Sequence, residues 1–144
     1  MTATFKRALR SDPRELEQLL PELAAFLALH RVEASVTYVV QLAVEELLLN
    51  VMKHGYHGET GHAITMRLEL AGSDDATLDV EDEADAFDPR TVPEPDFDNL
   101  LEGGCEGGLG LHLVRSLSAL LDYRRDGNRN HVRVRILPLP MPPA

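Results

Sequence analysis

Apolar and polar positions along this chain follow two rhythms, one helical and one extended. From Val36 to Gly55 apolar residues fall at Val36, Val39, Val40, Ala43, Val44, Leu47, Leu48 and Val51, and spacings of three and four predict a helix. Leu49 and Met52 add apolar surface off that stripe, so the helix is expected to be covered on more than one side. Gly55 closes the pattern as a C-cap candidate. An earlier helix is predicted from Asp12 to about Leu29. Asp12 supplies a cap, Pro13 a first-turn proline, and Glu15 a carboxylate near the positive end of the dipole. Leu16, Leu19, Leu20, Leu23, Phe26 and Leu27 form its stripe, and Pro21 predicts a kink or a split. Leu111, Leu113, Val114, Leu117 and Leu120 mark a third helix.

The second rhythm has period two. In His62–Ala71, Ile64, Met66, Leu68 and Leu70 face one way, while Thr65, Arg67 and Glu69 face the other. After a turn at Gly72–Asp75 the alternation resumes in Ala76–Glu83, with Leu78, Val80 and Asp82 on one face. These are two antiparallel neighbours, each with one buried face. Thr4–Arg10, with Phe5 and Leu9 on one side, reads as another strand. Leu121–Arg125 and His131–Leu137 form a hairpin across Asp126-Gly127-Asn128, with Val132, Val134 and Ile136 inward. Pro138, Pro140, Pro142 and Pro143 stop the last strand and predict a loose tail over 138–144.

At 144 residues the chain is expected to be one domain, 1–137, long enough for a real core. Its formal net charge of −10 argues against a general phosphate-backbone binder, so direct contact with nucleic acid is not expected. The single cysteine, Cys105, allows no internal disulfide and fits a reducing cytoplasm. No stretch approaches the roughly 20 apolar residues of a membrane span, and no basic segment followed by an apolar run marks a secretion signal. A cytoplasmic location without membrane attachment is the expectation.

The polar residues inside these patterns carry the chemistry. Glu46 and Asn50 lie four apart on the apolar helix, hence on one side of it. A carboxylate and an amide in such surroundings are costly unless each meets a partner, a water or an ion. The helix alone leaves both readings open, solvated groups or a ligand site. Asp82 ends an inward row, as a strand-end loop carboxylate or as a buried acceptor. Ala84–Gly107 has no sustained periodicity, three prolines and many acids, with Arg90 its one basic residue. Loops of this length are uncommon unless functional or disordered. Gly103, Gly104, Gly107, Gly108 and Gly110 then run into the third helix, a common anion cradle because glycine admits close approach to unpaired N–H groups. No G-K-S/T follows and no G-x-G-x-x-G occurs, so neither a P-loop nor a Rossmann fingerprint is present. His54, His57 and His62 with Glu59 match no common zinc spacing.

Taken in order, EELLLNVMKHGY, VEDEADAFDP and GGLGLHLVRSL resemble the N-box and the two glycine boxes of the GHKL ATPases. That superfamily includes gyrase-type, chaperone and histidine-kinase ATP-binding domains. More narrowly, the chain is similar to small bacterial anti-sigma factors that are also serine-protein kinases, over roughly Thr4–Leu137. The resemblance implies an α+β two-layer sandwich of the Bergerat type: a mixed, mainly antiparallel sheet covered on one face by about three helices. It implies ATP with Mg²⁺ held by Asn50, Glu46 as general base, and Asp82 accepting from the adenine amino group. It further implies Gly107, Gly108, Leu109 and Gly110 around the phosphates, Lys53 within reach of one, and Ala86 at the adenine edge. Implied partners are a sigma factor and a STAS-type anti-sigma-factor antagonist carrying the acceptor serine, met by a homodimer. The chain departs from D-x-G-x-G in having Ala84 and Ala86 at both glycine positions, which is expected to penalise positive φ and crowd the base. That departure and the acidic loop suit an alternative, an adenine-nucleotide-binding regulatory module that transfers nothing. A detached histidine-kinase-type ATPase domain that needs another chain for its acceptor is a third expectation, and a complete histidine kinase is not expected, because no phospho-acceptor histidine with its dimerisation helices precedes the boxes.

Overall fold

The computed structural model describes residues 2–93 and 109–140. Five alternating segments form one sheet: β1 (Thr2–Arg10), β2 (Ala63–Ala71), β3 (Ala76–Asp82), β4 (Leu120–Asp126) and β5 (Arg129–Ile136). Their order is β1-β2-β3-β5-β4 and every pairing is antiparallel. Register follows the inward rows. Phe5 pairs with Leu68, Met66 with Val80, and Val80 with Val132, so a slip of one residue would turn a whole apolar row to solvent. The β4–β5 turn is tighter than the sequence suggested, with only Gly127 and Asn128 between paired ends. Gly127 takes φ 62° there, as the first position of a two-residue II′-type hairpin requires.

Three helices, α1 (Pro13–Leu29), α2 (Ala34–Asn50) and α3 (Leu109–Leu117), cover the inward face. The result is an open α+β two-layer sandwich. The opposite face is polar, with Lys6, Arg67, Asp79, Arg133 and Asp122 aligned across the five strands. α1 begins where expected, with the Asp12 side chain accepting from Arg14 N at 3.0 Å. Pro21 does not split it. The proline is exposed on the solvent side, where the carbonyl it leaves unpaired can meet water. Leu16, Leu19, Leu23 and Leu27 hold the helix from the buried side.

α2 is the central core helix, with Val36, Val39, Val40, Ala43, Val44, Leu47 and Leu48 buried. Glu33 caps it, accepting from Ser35 N and Val36 N. Beyond Asn50 the helix widens into one π turn, Val51–Gly55, before Tyr56. Together Ala34–Gly55 makes 22 residues, and an 18-residue window within it has a mean hydropathy of 1.3, long and apolar enough to cross a membrane by length and composition. This corrects the expectation that no stretch reaches that length. The sheet and the other helices supply the apolar partners that a span would take from lipid. The start of the tail also has a place: Leu139 N donates to Ser35 Oγ at 3.0 Å, and Leu139 lies against the core.

Candidate functional site

The cleft lies between the C-terminal end of α2 and the ends of β3 and β5, with the segment after β3 along its rim. It has a volume of about 350 Å³ including its open mouth. Asn50, Gly55, Asp82, Asp85, Phe87 and Asn130 are among its walls. Helical spacing puts Asn50 one turn beyond Glu46, and the π turn that follows brings Gly55 beneath the cleft. Wide turns of this kind concentrate at functional sites.

Asn50 donates Nδ2 to the Glu46 carbonyl at 2.7 Å. That bond assigns the amide, because only the nitrogen can meet a carbonyl, and it leaves Oδ1 as the atom offered outward. An amide oxygen in the cleft wall fits a hard cation such as Mg²⁺, which takes oxygen ligands and keeps waters. Glu46 is half-buried. Burial and the neighbouring Glu45 charge push its carboxyl above the usual range, and Lys53 offsets part of this. Its carboxyl group lies against Gly110 in the first turn of α3, where a Cβ would overlap it. A side chain at Gly110 would therefore displace the Glu46 carboxyl group from this position.

Asp82 is 5% exposed. Its Oδ1 accepts from Asn130 Nδ2 at 2.8 Å and Ala84 N at 2.9 Å. Oδ2 accepts from no protein donor among the described residues. Burial pushes this carboxyl up, against the two donors and the nearby Arg125. The expected strain at the two alanines is absent. Among the described residues only Arg31 and His57 are non-glycine positions with positive φ. Ala84 is buried against Gly55, where a Cβ on the glycine would come within 2.7 Å of the alanine's. Ala86 is exposed and outside the cleft walls.

The structure thus brings Asn50 and Asp82 to one cleft and Glu46 to Gly110. Lys53 is exposed on the π turn, and Leu109 is 41% exposed at the start of α3. Gly107 and Gly108 lie outside the described residues, as do Cys105, Gly103 and Gly104. The three histidines diverge. His54 stacks on Phe87, His57 Nε2 meets Asp85 Oδ2 at 2.7 Å, and His62 pairs with Glu59 at 3.0 Å. Among the described residues no group of three or more His, Cys, Asp or Glu side chains could hold a metal ion. Asn130 was missed from the sequence, although it had a signal. It shares inward parity with Val132, Val134 and Ile136, so a polar residue there needed a partner just as Asp82 did.

Serine/threonine-protein kinase BtrW of Bordetella bronchiseptica is 28% identical to this chain over 103 residues, 71% of each protein. The model of the histidine kinase-like ATPase domain matches residues 9–136, nearly the full length and every element that shapes the cleft. The chain belongs to the histidine kinase-like ATPase family.

Proposed function

We propose that this protein is an ATP- and Mg²⁺-dependent serine/threonine-protein kinase that also binds a sigma factor. Its acceptor would be a serine on a STAS-type anti-sigma-factor antagonist. The observation that carries the reading is the convergence of Asn50 Oδ1 and Asp82 Oδ2 on one cleft, beside a Glu46 carboxyl packed on Gly110. The similarity to a serine/threonine-protein kinase supports the choice of acceptor chemistry.

In this reading Asp82 Oδ2 accepts from the exocyclic amine of adenine, and a guanine would present it a carbonyl oxygen instead. Asn50 Oδ1 would hold Mg²⁺, which when bound would neutralise phosphate charge. Leu109 and Gly110 open α3 at the phosphate end, Gly107 and Gly108 would add backbone N–H groups to it, and Lys53 adds a point charge. Glu46 takes the proton of the acceptor hydroxyl as the γ-phosphoryl moves. Positioning and charge stabilisation supply most of the rate, and the base adds about 10²–10⁴-fold.

Calorimetry with ATP, ADP and GTP, with and without Mg²⁺, tests the nucleotide half of the proposal. Labelled ATP with candidate antagonists tests transfer, and Glu46→Gln should abolish labelling while leaving ATP affinity nearly intact. Label on histidine would move the protein to the histidine-kinase class. ATP binding without any transfer would leave a regulatory module that grips its partner by nucleotide state.

A further inference from the structure

Asp82 and Asn130 face each other across the β3–β5 ladder, two polar residues ending rows that are otherwise apolar. Asn130 is 3% exposed. Its Nδ2 is within hydrogen-bond distance of three oxygens: Asp82 Oδ1 at 2.8 Å, and the carbonyls of Ala84 and Asp85 at 3.1 Å each. On the other side Oδ1 accepts from the Tyr123 hydroxyl at 2.6 Å and from Arg125 at 2.9 Å. Acceptors surround the nitrogen and donors surround the oxygen, so the amide has one orientation only. A carboxylate here would present no donor to Asp82, and an aliphatic side chain would present nothing.

We propose that Asn130 is a positioning residue that sets base specificity: it engages Asp82 Oδ1 and thereby turns Oδ2 to the cleft as an acceptor. The inference rests on the nucleotide reading above. Tyr123 and Arg125 prevent the amide from turning over, which would oppose two oxygens at Asp82. The same nitrogen also lies within hydrogen-bond distance of the Ala84 and Asp85 carbonyls, which links the acid to the rim. The ligand class selected is a purine with an exocyclic 6-amino group. A 6-oxo purine, or one bare at that carbon, lacks the donor that Oδ2 awaits.

The test compares ATP with the triphosphate of purine riboside, which lacks the 6-amino group, on the full chain by calorimetry. Wild type should prefer ATP by about tenfold or more, as expected for a hydrogen bond to a charged group. In Asn130→Ala that ratio should fall toward one. In Asn130→Asp the new oxygen faces Asp82 and the two carbonyls, with Arg125 and Tyr123 behind it and Tyr56 and Glu83 beside Asp82. Its ratio should be near one at pH 8.5 and recover at pH 5.5, where a proton between the two carboxyl groups restores donation. Phosphate ionisation affects both nucleotides alike and cancels in the ratio. A merely structural role would weaken both ligands by the same factor at every pH, and that result overturns the proposal. Thermal unfolding checks that the variants are folded; should the alanine variant fail, the near-isosteric aspartate carries the test. Wild type binding neither nucleotide would remove the nucleotide reading together with this one, whereas an unmoved ratio would remove this one alone.

Discussion

Replacing Asp82 by asparagine should make the protein more stable and a worse nucleotide binder. The substitution keeps Oδ1, with its donors at 2.8 and 2.9 Å, and removes a charge from a site 5% exposed. Exchanging a charged for a neutral acceptor gives up about 1 kcal/mol per bond, so about 2 in all. The effective cost of holding an ion away from water is several kcal/mol. Arg125 directs its guanidinium to the Ala84 carbonyl and to Asn130, so it offsets only part of that cost. The balance favours asparagine by on the order of 1 kcal/mol, a rise in Tm of about 2–4 °C. The pH dependence has a definite sign. Because burial raises the folded pKa of Asp82, its contribution to stability is full below the unfolded value of about 3.9 and is lost as pH rises through the folded one. The advantage of Asp82→Asn should therefore be largest at neutral pH and shrink as pH falls toward about 4. ATP affinity should drop about 10–150-fold, the worth of a hydrogen bond to a charged acceptor. Differential scanning calorimetry across pH and ATP titration at pH 7 are the assays. A variant that melts below wild type at neutral pH, or binds ATP equally well, would refute the reasoning.

Gly55→Ala places a Cβ within 2.7 Å of that of Ala84 and should cost about 1–3 kcal/mol by overpacking; Ala84→Gly in the same chain should restore most of it, read by chemical denaturation as a double-mutant cycle. Gly110→Ala meets only the far end of the Glu46 side chain, so stability should change by less than about 1 kcal/mol while a displaced base costs about 10²-fold in phosphoryl transfer. The pH–rate profile of transfer should rise through a pKa above the ordinary glutamate value, because Glu46 must be ionised to act and burial opposes that. Glu45→Gln should move the midpoint down, and Lys53→Met should move it up.

Most of the architecture was legible because burial writes itself into periodicity. The inward rows of β2, β3 and β5 and the buried positions of α2 are those that the alternation and the three-four spacing name. What failed were inferences that treated a residue without its surroundings. Pro21 does not split α1: it removes a backbone bond in any helix, but the loss is small where solvent can replace it, and only the fold reveals which side faces out. The apolar run Ala34–Gly55 has the length of a membrane span and is a core helix, a distinction set by the partners that cover it. Asp82 was found through its inward parity, while Asn130, with the same parity, was absorbed into the reading of the hairpin turn.

The two alanines make the same argument at the site itself. A motif written as D-x-G-x-G assigns smallness to positions, but sterics assign it to contacts. Where Ala84 approaches the end of α2, the missing side chain belongs to Gly55, and neither Ala84 nor Ala86 needs a left-handed backbone. Ala86 is exposed and is not among the cleft walls. The carbonyls of Ala84 and Asp85 are held by Asn130, and the former also by Arg125. The order that glycine leaves to be supplied by loop conformation is here supplied by side chains from the β4–β5 hairpin. The cleft should accordingly tolerate alanine at both positions but not a second methyl at Gly55, which is why the coupled pair is a sharper probe of this site than either alanine alone.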